Sequence, residues 1–167
     1  TKDSDILSFN FPKTQTEFFY YEYNKLISRK IVERLGKQLK GKKLLEIGCG
    51  RATSSIFQAK KLKLQVFPTD YSENALKIAN SNLTKYNVKA VAQQANLFDL
   101  PFENGFFDCV ISIGVMEHIE KLDEAYAEMG RVTKSGGVMI SINVPEKPDN
   151  IQRIAAPVNR VFSSVEK

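Results

Sequence analysis

An α/β fold, built on a doubly wound, mostly parallel sheet with helices on both faces, is what this sequence predicts. Three observations carry the prediction. Short apolar runs recur along the chain, separated by stretches with helical spacing, as parallel strands joined by crossover helices require. The first such run, Leu44-Leu45-Glu46-Ile47, ends in a glycine-rich turn, Gly48-Cys49-Gly50, at the entrance to a helix. The next run ends at an acid, Asp70, twenty residues past Gly50.

The elements follow in order. Residues 1–16 are polar with scattered aromatics and read as a loose arm. Glu17-Phe18-Phe19-Tyr20-Tyr21-Glu22-Tyr23 then runs into Leu26, Ile27, Ile31, Val32 and Leu35, with Gly36 and Gly41 as stop signals. That spacing predicts one helix or a bent pair over about 17–39. Five aromatics in six positions exceed what one core stripe needs, so the group reads as a lid or as a helix packed on the sheet edge. Lys43–Ile47 is a buried strand, Thr53–Lys61 a helix, and Leu64–Phe67 a second strand stopping at Pro68-Thr69-Asp70. Ser72 caps a helix with Ala75, Leu76, Ile78, Ala79 and Leu83 on one face. Val88–Gln94 is a weaker strand, and Phe107–Ile113 a clean one after the Asn104-Gly105 turn. Ile119–Thr133 is helical, Gly136-Gly137 ends it, and Val138–Val144 is a further strand. The expected organisation is an arm and lid or edge helix over 1–41, then one α/β domain over 42–167.

Composition bounds the class. At 167 residues, with 43% hydrophobic and 26% charged, the chain suits one globular domain with a sizeable core. No apolar run is long enough to cross a bilayer, and the first residues lack the apolar stretch of a signal peptide. The chain starts at Thr1 and not at Met, which reads as processing or trimming. Two cysteines, Cys49 and Cys109, make no disulfide framework and lack zinc spacing, so a reducing, cytoplasmic setting is expected. A net charge of +5 permits an anionic partner such as nucleic acid without demanding one. The lysines at 37, 40, 42 and 43 and at 60, 61 and 63 flank predicted elements and read as solvated ends.

The chemistry concentrates at the first turn. Glycines let the backbone approach a ligand closely, and the helix start offers free N–H groups. An acid at the end of the second strand can accept hydrogen bonds from both hydroxyls of a ribose. Together, turn and acid point to a nucleotide-like ligand.

These residues resemble the class I S-adenosylmethionine-dependent methyltransferases, especially their small-molecule branch. Glu46-Ile47-Gly48-Cys49-Gly50 matches that family's first motif, and Asp70 within Thr69-Asp70-Tyr71-Ser72 its ribose-binding acid. Ala95-Asn96-Leu97-Phe98-Asp99-Leu100-Pro101-Phe102 resembles the adenine loop, and Phe106 to Ser112 the fourth strand. Glu117-His118-Ile119 resembles the turn after it, and Gly136-Gly137-Val138-Met139-Ile140 the entry to strand five. The resemblance covers about 42–144 and implies a Rossmann-like sheet with S-adenosyl-L-methionine as cofactor and S-adenosyl-L-homocysteine as product. It implies that the backbone of Gly48, Cys49 and Gly50 packs on the methionyl moiety, with Glu46 orienting its ammonium end. Asp70 takes the ribose hydroxyls, Tyr71 lies against adenine, Asn96 meets the adenine amino group, and Leu97 offers its N–H to a ring nitrogen. Ile113 and Gly114 line the space beside the sulfonium.

Three departures stand out. Ala52 replaces a frequent third glycine, which speaks against a dinucleotide. Asn96 replaces a usual Asp. The family continues past strand five with a helix and an antiparallel strand pair, whereas only 145–167 follow here, so the natural protein is expected to be longer.

Methyl transfer is an in-line displacement on an activated carbon, so positioning matters more than a fixed triad. His118, the only histidine, and Glu117 are the candidate bases. Gly114 occupies the first acid's place of a metal-holding relative, so no metal is expected. Ser112-Ile113-Gly114-Val115 stands where base and glutamine methylases carry Asn-Pro-Pro-Tyr, and no Pro-Cys nucleophile occurs. The expected activity is transfer of a methyl group to a small-molecule or lipid-like acceptor. A non-catalytic binding or partner subunit, a nicotinamide-dependent oxidoreductase and an RNA methyltransferase remain alternatives.

Overall fold

A computed structural model describes residues 15–143. In chain order the elements are α1 (Gln15–Leu35), β1 (Lys43–Ile47), α2 (Thr53–Leu62), β2 (Gln65–Asp70), α3 (Glu73–Lys85), β3 (Gln93–Gln94), β4 (Phe107–Ile113), α4 (Leu122–Val132) and β5 (Thr133–Ile142). A short 3-10 turn, Met116–His118, precedes α4. The five strands form one sheet in the order β3-β2-β1-β4-β5, and every pairing is parallel.

Strand alternation explains the layers. Leu44 faces Ile27 and Ile31 of α1, together with Cys109 and Ile111 of β4. Its neighbour Leu45 faces the other way, against Ala125 and Met129 of α4 and Val110 of β4. β1 and β4 are therefore buried on both faces and read as nearly continuous apolar runs, as central parallel strands do. On the α1 side, Ala52 just before α2 and Ile56 of α2 pack with Ala79 and Leu83 of α3. Burying each large aliphatic side chain contributes about 1.5–3 kcal/mol, and Ile27, Ile31, Leu44, Leu45, Val110 and Ile111 are all fully buried.

The chain lays down β1, β2 and β3 outward on one side, then returns to place β4 on the other side of β1. The order therefore reverses between β1 and β4. Ligands of open α/β sheets bind at such a switch point, beyond the strand C-terminal ends. Here those ends deliver Gly48 after β1 and Gly114 after β4.

Several boundaries differ from the sequence expectation. β2 passes through Pro68 instead of stopping before it. Thr69 turns its carbonyl toward β1 and Asp70 toward the β3 side, so the missing Pro68 N–H falls on the β3 side, where pairing begins only at Thr69. The weak third strand shrinks to Gln93–Gln94. α1 ends at Leu35, and α4 begins at Leu122 instead of Ile119, because Ile119 leaves the 3-10 turn in an extended conformation (φ −103°, ψ 119°).

Gly136-Gly137 does not end a helix. Both lie inside β5, where the register on β4 shifts between Phe107–Thr133 and Cys109–Val138. A Cβ on Gly137 would lie 2.8 Å from the Lys134 carbonyl oxygen, so the irregularity needs glycine there. Of the loose arm expected over 1–16, Gln15 and Thr16 instead open α1, while residues 1–14, like the expected segment over 145–167, lie outside the described residues.

Candidate functional site

A cavity of about 530 Å³ opens at the switch point. Among the residues singled out from sequence, Gly48, Asp70, Tyr71, Asn96, Leu97 and His118 line it. Glu46, Cys49, Gly50, Ile113 and Glu117 stand off its wall.

Gly48 forms part of the wall where β1 ends, at a φ of +65°. A Cβ there would overlap Cγ2 of Val115, so backbone conformation and tertiary contact both disfavour a side chain. Gly50, at φ +51°, donates its N–H to Oδ2 of Asp70 at 2.8 Å. Ser72 donates its N–H to Oδ1 of the same carboxylate at 2.9 Å. Both oxygens are thus fixed by backbone, yet each retains a lone pair. Asp70 is therefore held rigidly at the cavity with capacity for two further donors, which is what a vicinal diol offers.

Glu46 sits beneath this turn, 4% exposed. Its Oε2 accepts the Ser55 N–H at 2.8 Å in the first turn of α2. The residue at the start of that helix, Ala52, is left-handed (φ 56°) and makes no side-chain cap. A strand acid thus caps the helix in its place. Burial pushes the Glu46 carboxyl up to about 7, with Asp70 adding to the rise and hydrogen bonds from Ser55 opposing it.

Cys49 donates its N–H to the Thr69 carbonyl at 2.8 Å, and its buried thiol is pushed well up by desolvation. Such a thiol is inert at neutral pH. Ile113 turns to the α1 face, packing with the cluster around Ile27 and Ile111, and Gly114 and Val115 line the cavity beside it. Tyr71 is 78% exposed beside Asp70. Asn96 folds its side chain back, its Oδ1 accepting the Phe98 N–H at 3.0 Å. His118 is exposed on the wall, its backbone N–H donating to the Val115 carbonyl at 3.0 Å, while Glu117 is half-buried.

Val115, Ile119, Phe98 and Leu100 supply further apolar lining of the cavity. Sequence reasoning missed Val115, because its contact with Gly48 joins positions far apart in the chain. Phe98 and Leu100 were legible only as apolar positions in the 95–102 segment.

α1, none of whose residues lines the cavity, packs across α2 and β5. Tyr21 meets Phe57 edge-on at 6.0 Å, and Tyr20 and Tyr23 lie 5.4 Å apart. Burial, then Tyr20, then Glu46 push the Tyr23 hydroxyl up, which sets that phenol within electrostatic reach of the buried acid.

Residues 45–141 match the family described as Methyltransferase domain. The chain belongs to that family. Its sheet is that of the class I methyltransferase fold. The chain is 32% identical over 123 residues to a demethylmenaquinone methyltransferase of Geobacillus stearothermophilus, covering 71% of this chain and 52% of the relative. Among solved structures it superposes on a geranyl diphosphate methyltransferase in complex with GPP and sinefungin (TM-score 0.63, 18% identity, 79% of this chain and 52% of that one). It also superposes on the [4+2]-cyclase SpnF (TM-score 0.69, 19% identity, 79% and 48% covered). The chain spans about half the length, or less, of the curated relatives it matches. Among the described residues no helix is long and apolar enough to cross a membrane.

Proposed function

We propose that this methyltransferase domain binds S-adenosyl-L-methionine at the switch-point cavity and serves methyl transfer to a small-molecule or lipid-like acceptor. The observation that carries the reading is Asp70, pinned by the Gly50 and Ser72 N–H groups at the switch-point cavity that Gly48 also lines. A rigid diol acceptor beside a glycine turn at the entrance to α2 fits the ribose and methionyl parts of that cofactor. When bound, the cofactor supplies an electrophilic methyl group on a sulfonium centre. Asp70 would hold the ribose, Asn96 and Leu97 the adenine edge, Tyr71 its face, and the turn from Gly48 to Gly50 the methionyl end, with Glu46 behind it.

The chain's remaining task is to orient the acceptor, exclude water and, where the acceptor is protonated, remove a proton. His118 is suited to the last, being an imidazole exposed on the cavity wall. The aromatic stretch of α1 is suited to excluding water. The lipid-like class draws support from relatives named for menaquinone, sterol and geranyl diphosphate methylation. Two buried free cysteines accord with a reducing, cytoplasmic setting. Fold alone does not choose the reaction, since a cyclase shares it.

Calorimetric titration with S-adenosyl-L-methionine and S-adenosyl-L-homocysteine tests the reading. Micromolar binding is expected, reduced at least about tenfold by Asp70→Ala, which removes charge-assisted hydrogen bonds. A folded wild-type chain that binds neither ligand would overturn it and favour a non-catalytic partner module.

A further inference from the structure

We propose that Glu128 and Arg131 of α4 are positioning residues for adenine recognition, acting through the 95–106 segment that walls the cavity. The inference rests on the cofactor reading above. Neither side chain lines the cavity. An i,i+3 ion pair on a helix ordinarily contributes little. This one is directed elsewhere, because the guanidinium fork reaches the opposite segment. Arg131 Nη2 donates to the Leu100 carbonyl at 3.0 Å, and Nη1 donates to the Phe102 carbonyl and to Asn104 Oδ1, both at 2.8 Å. Glu128 Oε1 accepts the Leu100 N–H at 2.7 Å, and its Oε2 accepts Arg131 Nε at 2.7 Å. The Arg131 carbonyl takes the Gly105 N–H at 2.8 Å.

Leu100 is thereby gripped at both its N–H and its C=O by two charged groups that also hold each other. Mutual pairing holds the Glu128 carboxyl below its usual range. The segment's other end is tied where the Ala95 N–H reaches the Asp70 carbonyl at 3.1 Å. Between these anchors, Asn96 to Asp99 closes on itself, with the Asp99 N–H on the Asn96 carbonyl. The cavity wall formed by Asn96, Leu97 and Leu100 is thus a short bridge. One anchor is the diol-binding acid's own backbone, and the other is the Glu128–Arg131 bracket.

Reading a purine edge needs a donor and an acceptor placed to within hydrogen-bond tolerance, and a displacement near 1 Å forfeits it. Adenine and hypoxanthine present opposite donor and acceptor patterns on that edge. Discrimination between them therefore reports the placement of the bridge, while a general loss of stability weakens both ligands alike.

The test compares the full chain with Arg131→Met, Arg131→Lys and Glu128→Gln. Affinities for S-adenosyl-L-homocysteine and for its inosyl counterpart are measured, together with hydrogen exchange at the Leu97 and Phe98 amides without ligand. In Arg131→Met the amides are expected to exchange about tenfold faster and adenosyl affinity to fall about tenfold, with inosyl affinity little changed. Arg131→Lys, which keeps the charge without the fork, should restore only part of the discrimination. Glu128→Gln, the milder change, should show the same trend if Arg131→Met does not fold. Equal losses for both ligands, or exchange that does not change, would overturn the proposal. Wild-type discrimination that persists in the variants defeats the bracket alone. A wild type that binds neither ligand defeats the bracket and the cofactor reading together.

Discussion

Gly48 marks the point where local conformation and tertiary contact make the same demand. Its φ of +65° suits glycine, and Val115 fills the place a Cβ would take. Gly48→Ala is expected to cost about 1–2 kcal/mol for the left-handed backbone alone, with the overlap added. The expected readout is a lowered Tm and loss of S-adenosyl-L-homocysteine binding. Adding Val115→Ala should return part of the Tm by removing the overlap. If it returns none, Val115 is not the obstacle. Asn96 carries a related lesson, since an amide that bonds the Phe98 N–H two residues on shapes the segment as well as lining the cavity.

At the scale of elements, α1 is fastened to α2 by a buried polar seam and not by apolar contact alone. Ser54 donates to Asn24 Oδ1 at 2.7 Å, Ser28 donates to Gln58 Oε1 at 2.7 Å, and Gln58 Nε2 donates to the Asn24 carbonyl at 3.1 Å. These groups are satisfied by one another, so removing one strands its partners. Gln58→Ala should destabilise by about 1–3 kcal/mol in denaturant unfolding, with hydrogen-exchange protection lost first along α1. A loss shared equally by all helices would contradict the seam's local role. In β5, Gly137→Ala forces a Cβ toward the Lys134 carbonyl and should lower Tm, whereas Gly136→Ala meets no neighbour within 4 Å and suffers only its φ of +75°. Equal effects at the two positions would mean that the contact at Gly137 does not matter.

For the whole molecule, buried and paired carboxyls set opposing pH slopes. Glu46 is raised by burial from an ordinary value of 4.5 to about 7. A raised folded value means its contribution is present in full below about 4.5 and is lost as pH rises through about 7. The loss is on the order of 3 kcal/mol in the ligand-free chain. Asp108 runs the other way. Burial opposes it, but the Lys43 N–H at 2.8 Å and the Lys134 ammonium at 3.0 Å hold its carboxyl low. Glu128, lowered by Arg131, acts in the same sense, so the contributions of both are lost as pH falls below the ordinary carboxylate range. Stability should therefore peak on the acid side of neutrality. Glu46→Gln, which keeps an acceptor for the Ser55 N–H, should flatten the decline toward pH 7, as thermal unfolding across pH would show. An unchanged slope would remove Glu46 as its cause.

How much was legible divides along a physical line. β1, β4 and the glycine turn were readable because a doubly buried strand is apolar throughout and a left-handed turn needs glycine, both local facts. The ends of β2, β3 and α4 were not, because they depend on which neighbour pairs with each backbone group. Pro68 is tolerated in β2 only because its missing N–H falls outside the paired length. Gly136-Gly137 breaks a helix in a local reading and accommodates a register shift in the sheet.

The sequence by itself determined the parallel α/β class and Gly48 and Asp70 as candidates, since residue type and spacing carry those, while the family resemblance supplied the order of the motifs and pointed to Asn96 and His118. Only the tertiary structure decided that Val115 guards Gly48, that Glu46 caps α2 from beneath the cavity, and that Glu128 and Arg131 grip the cavity wall. Each of these joins residues distant in the chain, and a contact between distant residues is a property of the folded packing that no local pattern encodes.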